Sequence, residues 1–124
     1  MPIHHPEDFH QAFAEAFNAG DLDALAALYE PEAVFVPQVG PTVTGIEAIR
    51  AALSGFLALK GTMTLNPLSV VTAGDIALIR GAWTLTGTAP DGSIVNLSGR
   101  SAEVARRQAD GTWSYVIDHP HGAS

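Results

Sequence analysis

Apolar residues recur along this chain in two rhythms, and the change between them divides it. From Asp8 to Asn18, Phe9, Ala12, Phe13, Ala16 and Phe17 fall on one side of a predicted helix. Gly20 suits its end, and Asp21 can cap a second helix over Leu22 to Tyr29, with Leu22, Leu25, Leu28 and Tyr29 on one side. Pro31 is expected to stop that helix. A short strand over Ala33 to Pro37 and a turn at Gly40-Pro41-Thr42 follow. Thr44 and Glu47 form a capping-box pattern ahead of a third helix, Ile46 to Leu59, which carries Ile46, Ile49, Leu53, Phe56 and Leu57 and ends at Gly61.

Beyond Thr62 the rhythm becomes that of strands: Met63 to Thr72, Ile76 to Thr88, Ser93 to Gln108 and Trp113 to Pro120. Two tight turns, Ala89-Pro90-Asp91-Gly92 and Ala109-Asp110-Gly111, join the last three. Helices first and long antiparallel strands last predict an α+β fold, a curved sheet wrapped around three N-terminal helices. Such a sheet, closed on one side by helices, leaves an internal pocket. At 124 residues, with no linker or repeat, one domain is expected over 1–124.

Composition narrows the function classes. The formal charge is −7 with only six Lys and Arg, which argues against nucleic acid and against anionic membrane surfaces. No apolar run reaches membrane-spanning length. The start, Met1-Pro2-Ile3-His4-His5-Pro6-Glu7, lacks the basic and apolar regions of a secretory signal, so a cytoplasmic location is expected. Without cysteine there is no thiolate nucleophile or thiolate metal site. His4, His5, His119 and His121 lack metal-ligand spacing, and no phosphate-cradling glycine loop occurs, so neither a metal nor a cofactor is expected. Apolar residues make up 47% of the chain against 15% charged, rich enough for a buried subunit interface.

Strand alternation sorts the polar residues by face. If the second turn pairs Gln108 with Trp113, Glu103 lies opposite Asp118 and Ala102 opposite His119. If the first turn pairs Thr88 with Ser93, Trp83 lies opposite Ser98 and Gly81 opposite Arg100. One face then holds Trp83, Asn96, Ser98, Arg100, Tyr115, Ile117 and His119. The other holds Arg80, Ser101, Glu103, Ala105, Val116 and Asp118. A single bulge would exchange faces.

The first face, aromatic with a few polar groups, is the expected pocket wall. There Arg100 can bind a carboxylate or enolate-like oxygen, and His119 can move a proton near neutral pH. Opposite carboxylates at Glu103 and Asp118 can share a proton and raise one pKa; the plainer expectation is that Arg80 neutralises them or that they sit on an exposed or contact face. Tyr29 can point a hydroxyl into the cavity, and Gln38 can serve as a neutral donor. The exposed side of the sheet is expected to carry Val95, Leu97, Ala105 and Val116, an apolar strip suited to a homodimer.

The chain resembles the NTF2-like superfamily, and within it the SnoaL-like and ketosteroid-isomerase-like branch. The resemblance is carried by Phe17-Asn18-Ala19-Gly20-Asp21-Leu22-Asp23-Ala24-Leu25 with Leu28-Tyr29, by Gly45-Ile46-Glu47-Ala48-Ile49, and by three C-terminal segments. These are Glu103-Val104-Ala105-Arg106-Arg107, Asp110-Gly111-Thr112-Trp113 and Ile117-Asp118-His119-Pro120. It implies a cone-shaped barrel and a superfamily of isomerases, cyclases, dehydratases, epoxide hydrolases, transport factors and association domains, so the fold alone does not give the function. Ketosteroid isomerisation combines a carboxylate base with a tyrosine and a protonated aspartate. Here the first helix carries Phe9, Phe13 and Phe17 but no tyrosine, and Phe35 to Gly40 contains no acid.

Two functions are therefore expected. One is a cofactor-independent, isomerase- or cyclase-like protein moving a proton on an apolar carbonyl or carboxylate compound. Asp118, His119 and Arg100 would be its catalytic residues, with Tyr29, Gln38, Trp83, Asn96, Ser98, Glu103 and Tyr115 lining the pocket. The alternative is a non-catalytic ligand-binding or dimerisation module of the same fold.

Overall fold

The structure is a computed structural model that describes residues 2–123. A short 3-10 turn, Pro6–Asp8, leads into α1 (Phe9–Asn18) and α2 (Leu22–Ala26). Then come β1 (Tyr29–Phe35), β2 (Val43–Thr44), α3 (Ile46–Leu57), β3 (Thr62–Ala73), β4 (Ile76–Thr88), β5 (Ile94–Arg107) and β6 (Trp113–His119). The strands form one open sheet in the order β2-β1-β6-β5-β4-β3, antiparallel throughout except for the β1–β6 pair. The expected α+β architecture is therefore present. No helix among the described residues is long and apolar enough to cross a membrane.

Local chemistry explains the ends of α1 and α2. Gly20, at φ +68°, closes α1 in the left-handed conformation, and the Asp21 side chain accepts a hydrogen bond from the Ala24 amide to start α2. Two details differ from the sequence reading. Helix α2 ends at Ala26, and Tyr29 opens a strand that includes Pro31. That proline falls between Tyr29 and Val34, where the β1–β6 register shifts, so no regular ladder bond is demanded of it. The capping box does not form, because Thr44 is held in β2 and Gly45, at φ +94°, is the residue before α3.

The core lies between the helices and the concave face of the sheet. Phe9, Phe17, Leu25, Ile49 and Leu53 from the helices meet Ile79, Leu85, Ala105 and Tyr115 from the strands. Phe9 stacks on Tyr115 with ring centroids 4.2 Å apart.

Candidate functional site

Two hairpins and one bulge decide which side chains face the helices. In the first hairpin the Ala89 amide bonds to the Ser93 carbonyl, Gly92 sits at φ +88°, and the Asp91 side chain accepts bonds from the Ser93 amide and hydroxyl. The loop is thus three residues long, and Thr88 pairs with Ile94, not with Ser93. One residue of slip exchanges the faces of β5. Trp83 stands opposite Gly99, Gly81 opposite Ser101 and Ile79 opposite Glu103. The inward row of β5 is consequently Ser101, Glu103 and Ala105, all buried.

The second hairpin repeats the device. Gln108 bonds to the Thr112 carbonyl, Gly111 sits at φ +87°, and Arg107 pairs with Trp113. A bulge then inserts Val116 between the pairs Ala105–Tyr115 and Val104–Ile117. This restores the expected Glu103–Asp118 and Ala102–His119 pairs. It also brings Tyr115 and Asp118, three residues apart, to the same buried side.

The result is a cavity lined by Phe13, Phe17, Phe35, Phe56, Trp83 and Tyr115 among other apolar side chains, with His10, Ser101, Glu103 and Asp118 as its polar members. Its void, with the open mouth counted, is about 570 Å³. Among the described residues no Lys or Arg lines it. The mouth is bordered by the C-terminal turn: the Trp83 indole donates to the Pro120 carbonyl at 2.7 Å, and the His121 ring stands edge-on to Trp83.

The two carboxylates have different partners. His10 Nε2 lies 2.5 Å from Glu103 Oε1, with both side chains buried. Gly81 makes room for that imidazole, since a Cβ there would lie 2.4 Å from His10 Cε1. The Tyr29 hydroxyl donates to Asp118 Oδ2 at 2.5 Å. Burial, with the Glu103 charge added, pushes the Asp118 carboxyl up to about 7, although the Tyr29 bond pulls the other way. Burial and the neighbouring carboxylates hold the Tyr29 and Tyr115 phenols well above their ordinary values.

Of the residues singled out from sequence, Trp83, Glu103, Tyr115 and Asp118 line the cavity, and Tyr29 reaches it through Asp118. Asn96, Ser98 and Arg100 are exposed on the convex face, where Asn96 accepts from the Thr86 hydroxyl and Arg100 stands across from Ala82. His119, half-buried, is on that face opposite Ala102. Gln38 lies in the bend after β1, away from the cavity. Arg80, across from Ala102, is also on the convex face, so the partners of the carboxylates are His10 and Tyr29. The expected pocket face and the expected contact strip must both be revised. Val95 and Leu97 face the helix side, and Ala105 is fully buried.

His10 was not singled out in the sequence, although a signal exists. It stands three and seven residues before Phe13 and Phe17, on the apolar stripe of α1, and all three line the cavity. Among the described residues no group of three or more His, Asp or Glu side chains is placed to hold a metal ion.

The profile of the SnoaL-like domain family matches residues 10–116. No curated protein sequence matches the chain significantly. Among solved structures, a ketosteroid isomerase-like protein from Erwinia carotovora atroseptica superposes with TM-score 0.82 at 23% identity, covering 95% of this chain and 93% of that one. A provisionally assigned dehydratase of the NTF2-like family from Streptomyces avermitilis gives TM-score 0.73 at 21% identity, covering 91% of each chain. An NTF2-like protein from Novosphingobium aromaticivorans gives TM-score 0.73 at 19% identity, covering 95% and 82%. Identities this low establish a common fold and transfer no activity.

Proposed function

The chain belongs to the SnoaL-like domain family, and we propose that its cavity binds a small apolar carbonyl compound and moves a proton on it without a cofactor. The observation that carries this reading is Asp118. It is a buried carboxyl in an aromatic-walled cavity, held by Tyr29 and pushed up to about 7, where one group can both accept and return a proton at neutral pH.

In the proposed step Asp118 takes the proton from the carbon next to the carbonyl. The C–H electron pair forms the carbon–carbon double bond, and the carbonyl oxygen gathers the charge as an enolate. Asp118 then returns the proton to the same or a conjugated carbon. His10, Ser101 and Tyr115 are the polar groups of the lining available to that oxygen. Arg100 and His119 have no part in this scheme, since neither lines the cavity. The absence of Lys and Arg from the lining favours a neutral carbonyl compound over a carboxylate.

The test does not require the physiological substrate. Cyclic and aromatic ketones are incubated with the protein in heavy water, and exchange of the α-protons is followed by NMR. Exchange above background that is lost in Asp118→Asn is the predicted result. No exchange with any ketone would leave the non-catalytic ligand-binding reading; equal exchange by the variant would remove Asp118 as the proton carrier.

The reading extends to a cytoplasmic homodimer joined through the sheet. Its support is a row of apolar side chains across the convex face, Val71, Leu78, Val104 and Ile117, paired from strand to strand. Val71, Leu78 and Ile117 are exposed in the single chain. Leu78→Lys is expected to shift sedimentation from dimer to monomer; a wild-type protein that sediments as a monomer would refute this part.

A further inference from the structure

A buried carboxylate normally has a cation beside it, because the low-dielectric interior penalises a lone charge. Glu103 has one available in His10, at 2.5 Å. Asp118 does not: its side-chain partner is the neutral Tyr29 phenol, and no Lys or Arg lines the cavity around it. The walls of that cavity are rings, among them Phe13, Phe17, Phe35, Phe56, Trp83 and Tyr115, whose faces attract cations. The chain as a whole carries a formal charge of −7, which draws cations toward it.

We propose that the cavity also binds small apolar ammonium ions, with Asp118 as the counter-ion and the aromatic walls around the cation. This rests on reading the cavity as a ligand site, but not on catalysis there. An ammonium ion would supply the positive charge that Asp118 lacks, and would compete with the carbonyl compound for the same space. The titratable groups around Asp118 are Tyr29 of β1, Glu103 of β5, Tyr115 of β6 and, beyond Glu103, His10 of α1. Burial and the Glu103 charge keep Asp118 protonated below neutral pH. Binding must then release that proton, so affinity for the cation rises with pH until Asp118 is ionised.

Isothermal titration of the full chain with benzylammonium chloride, benzyl alcohol and sodium benzoate tests this, in salt sufficient to screen surface charge. One benzylammonium per chain is expected, bound at least about tenfold more tightly than the alcohol at about pH 8, with benzoate not bound. From about pH 8 to about pH 6 its affinity should fall by about tenfold while that of the alcohol stays constant. Asp118→Asn should erase the preference for the ammonium ion over the alcohol; should that variant not fold, the pH dependence of the wild type decides. The proposal is overturned if the alcohol or benzoate binds as well as the ammonium ion, or if the preference is independent of pH or survives in Asp118→Asn. In those cases the cavity still stands as a ligand site. Silence from all three probes also overturns the proposal, and the heavy-water exchange then judges the carbonyl reading by itself.

Discussion

Glu103 and Asp118 face each other on neighbouring strands, both hidden from solvent, yet their surroundings differ. Glu103 has an imidazole within hydrogen-bond distance, a partner able to carry positive charge. Asp118 has a phenol, which can donate a hydrogen bond but cannot neutralise a charge. Two carboxyls of the same chemistry are thereby divided. One is fixed in a structural pair, and the other is left with a proton it holds loosely near neutral pH. The pair around Glu103 is the means, because the charge on Glu103 contributes to raising Asp118.

The strongest way to break the comparison is to remove the titrating carboxyl. Asp118→Asn, nearly isosteric, is expected to cut α-proton exchange by about 10²–10⁴-fold with the fold preserved in circular dichroism. Next in size is the seat of the imidazole. Gly81→Ala places a methyl group 2.4 Å from His10 Cε1. It should cost about 1–3 kcal/mol in chemical denaturation and loosen Glu103 from His10.

Smaller and opposite effects should come from the two neighbours of Asp118. Glu103→Gln removes a charge that raises the Asp118 pKa, so the carboxyl limb of the pH–rate profile should move to lower pH. Tyr29→Phe removes a hydrogen bond that lowers it, so the same limb should move to higher pH. Shifts in the same direction would contradict the account.

A further effect is on stability. The folded Asp118 pKa is raised to about 7 from the ordinary 3.8, so the native state holds more protons than the unfolded chain between those values. The contribution of Asp118 is fully present below the lower value and is lost as pH rises through the upper one. Wild type minus Asp118→Asn, measured by denaturant unfolding across that window, should therefore decline with pH and level off above it.

Much of the fold is legible in the sequence because it rests on local chemistry. The Phe9-Phe13-Phe17 stripe, the Asp21 cap and the two Asp-Gly turns each act within a few residues. The facing of Glu103 and Asp118 is legible too, although through compensation: a shorter loop at Gln108–Thr112 is offset by the extra residue at Val116. The choice of pocket face is not legible. It depends on a three-residue loop at Pro90–Gly92 and on that bulge, and a change of one residue in either turns every side chain over. That is why Arg100 and His119 fall outside the cavity and Ser101 and Glu103 inside. His10 depends on a longer-range fit still, a ring on α1 matched to a missing side chain at Gly81.

The central claim is that Asp118 exchanges its proton near neutral pH inside an apolar cavity. A carbon-13 NMR titration of the side-chain carboxyl of Asp118, assigned by its loss in Asp118→Asn, tests it most directly. The account predicts a midpoint near 7. A midpoint in the ordinary aspartate range, around 3.8, would mean that the carboxyl is ionised throughout the neutral range, and would contradict the claim.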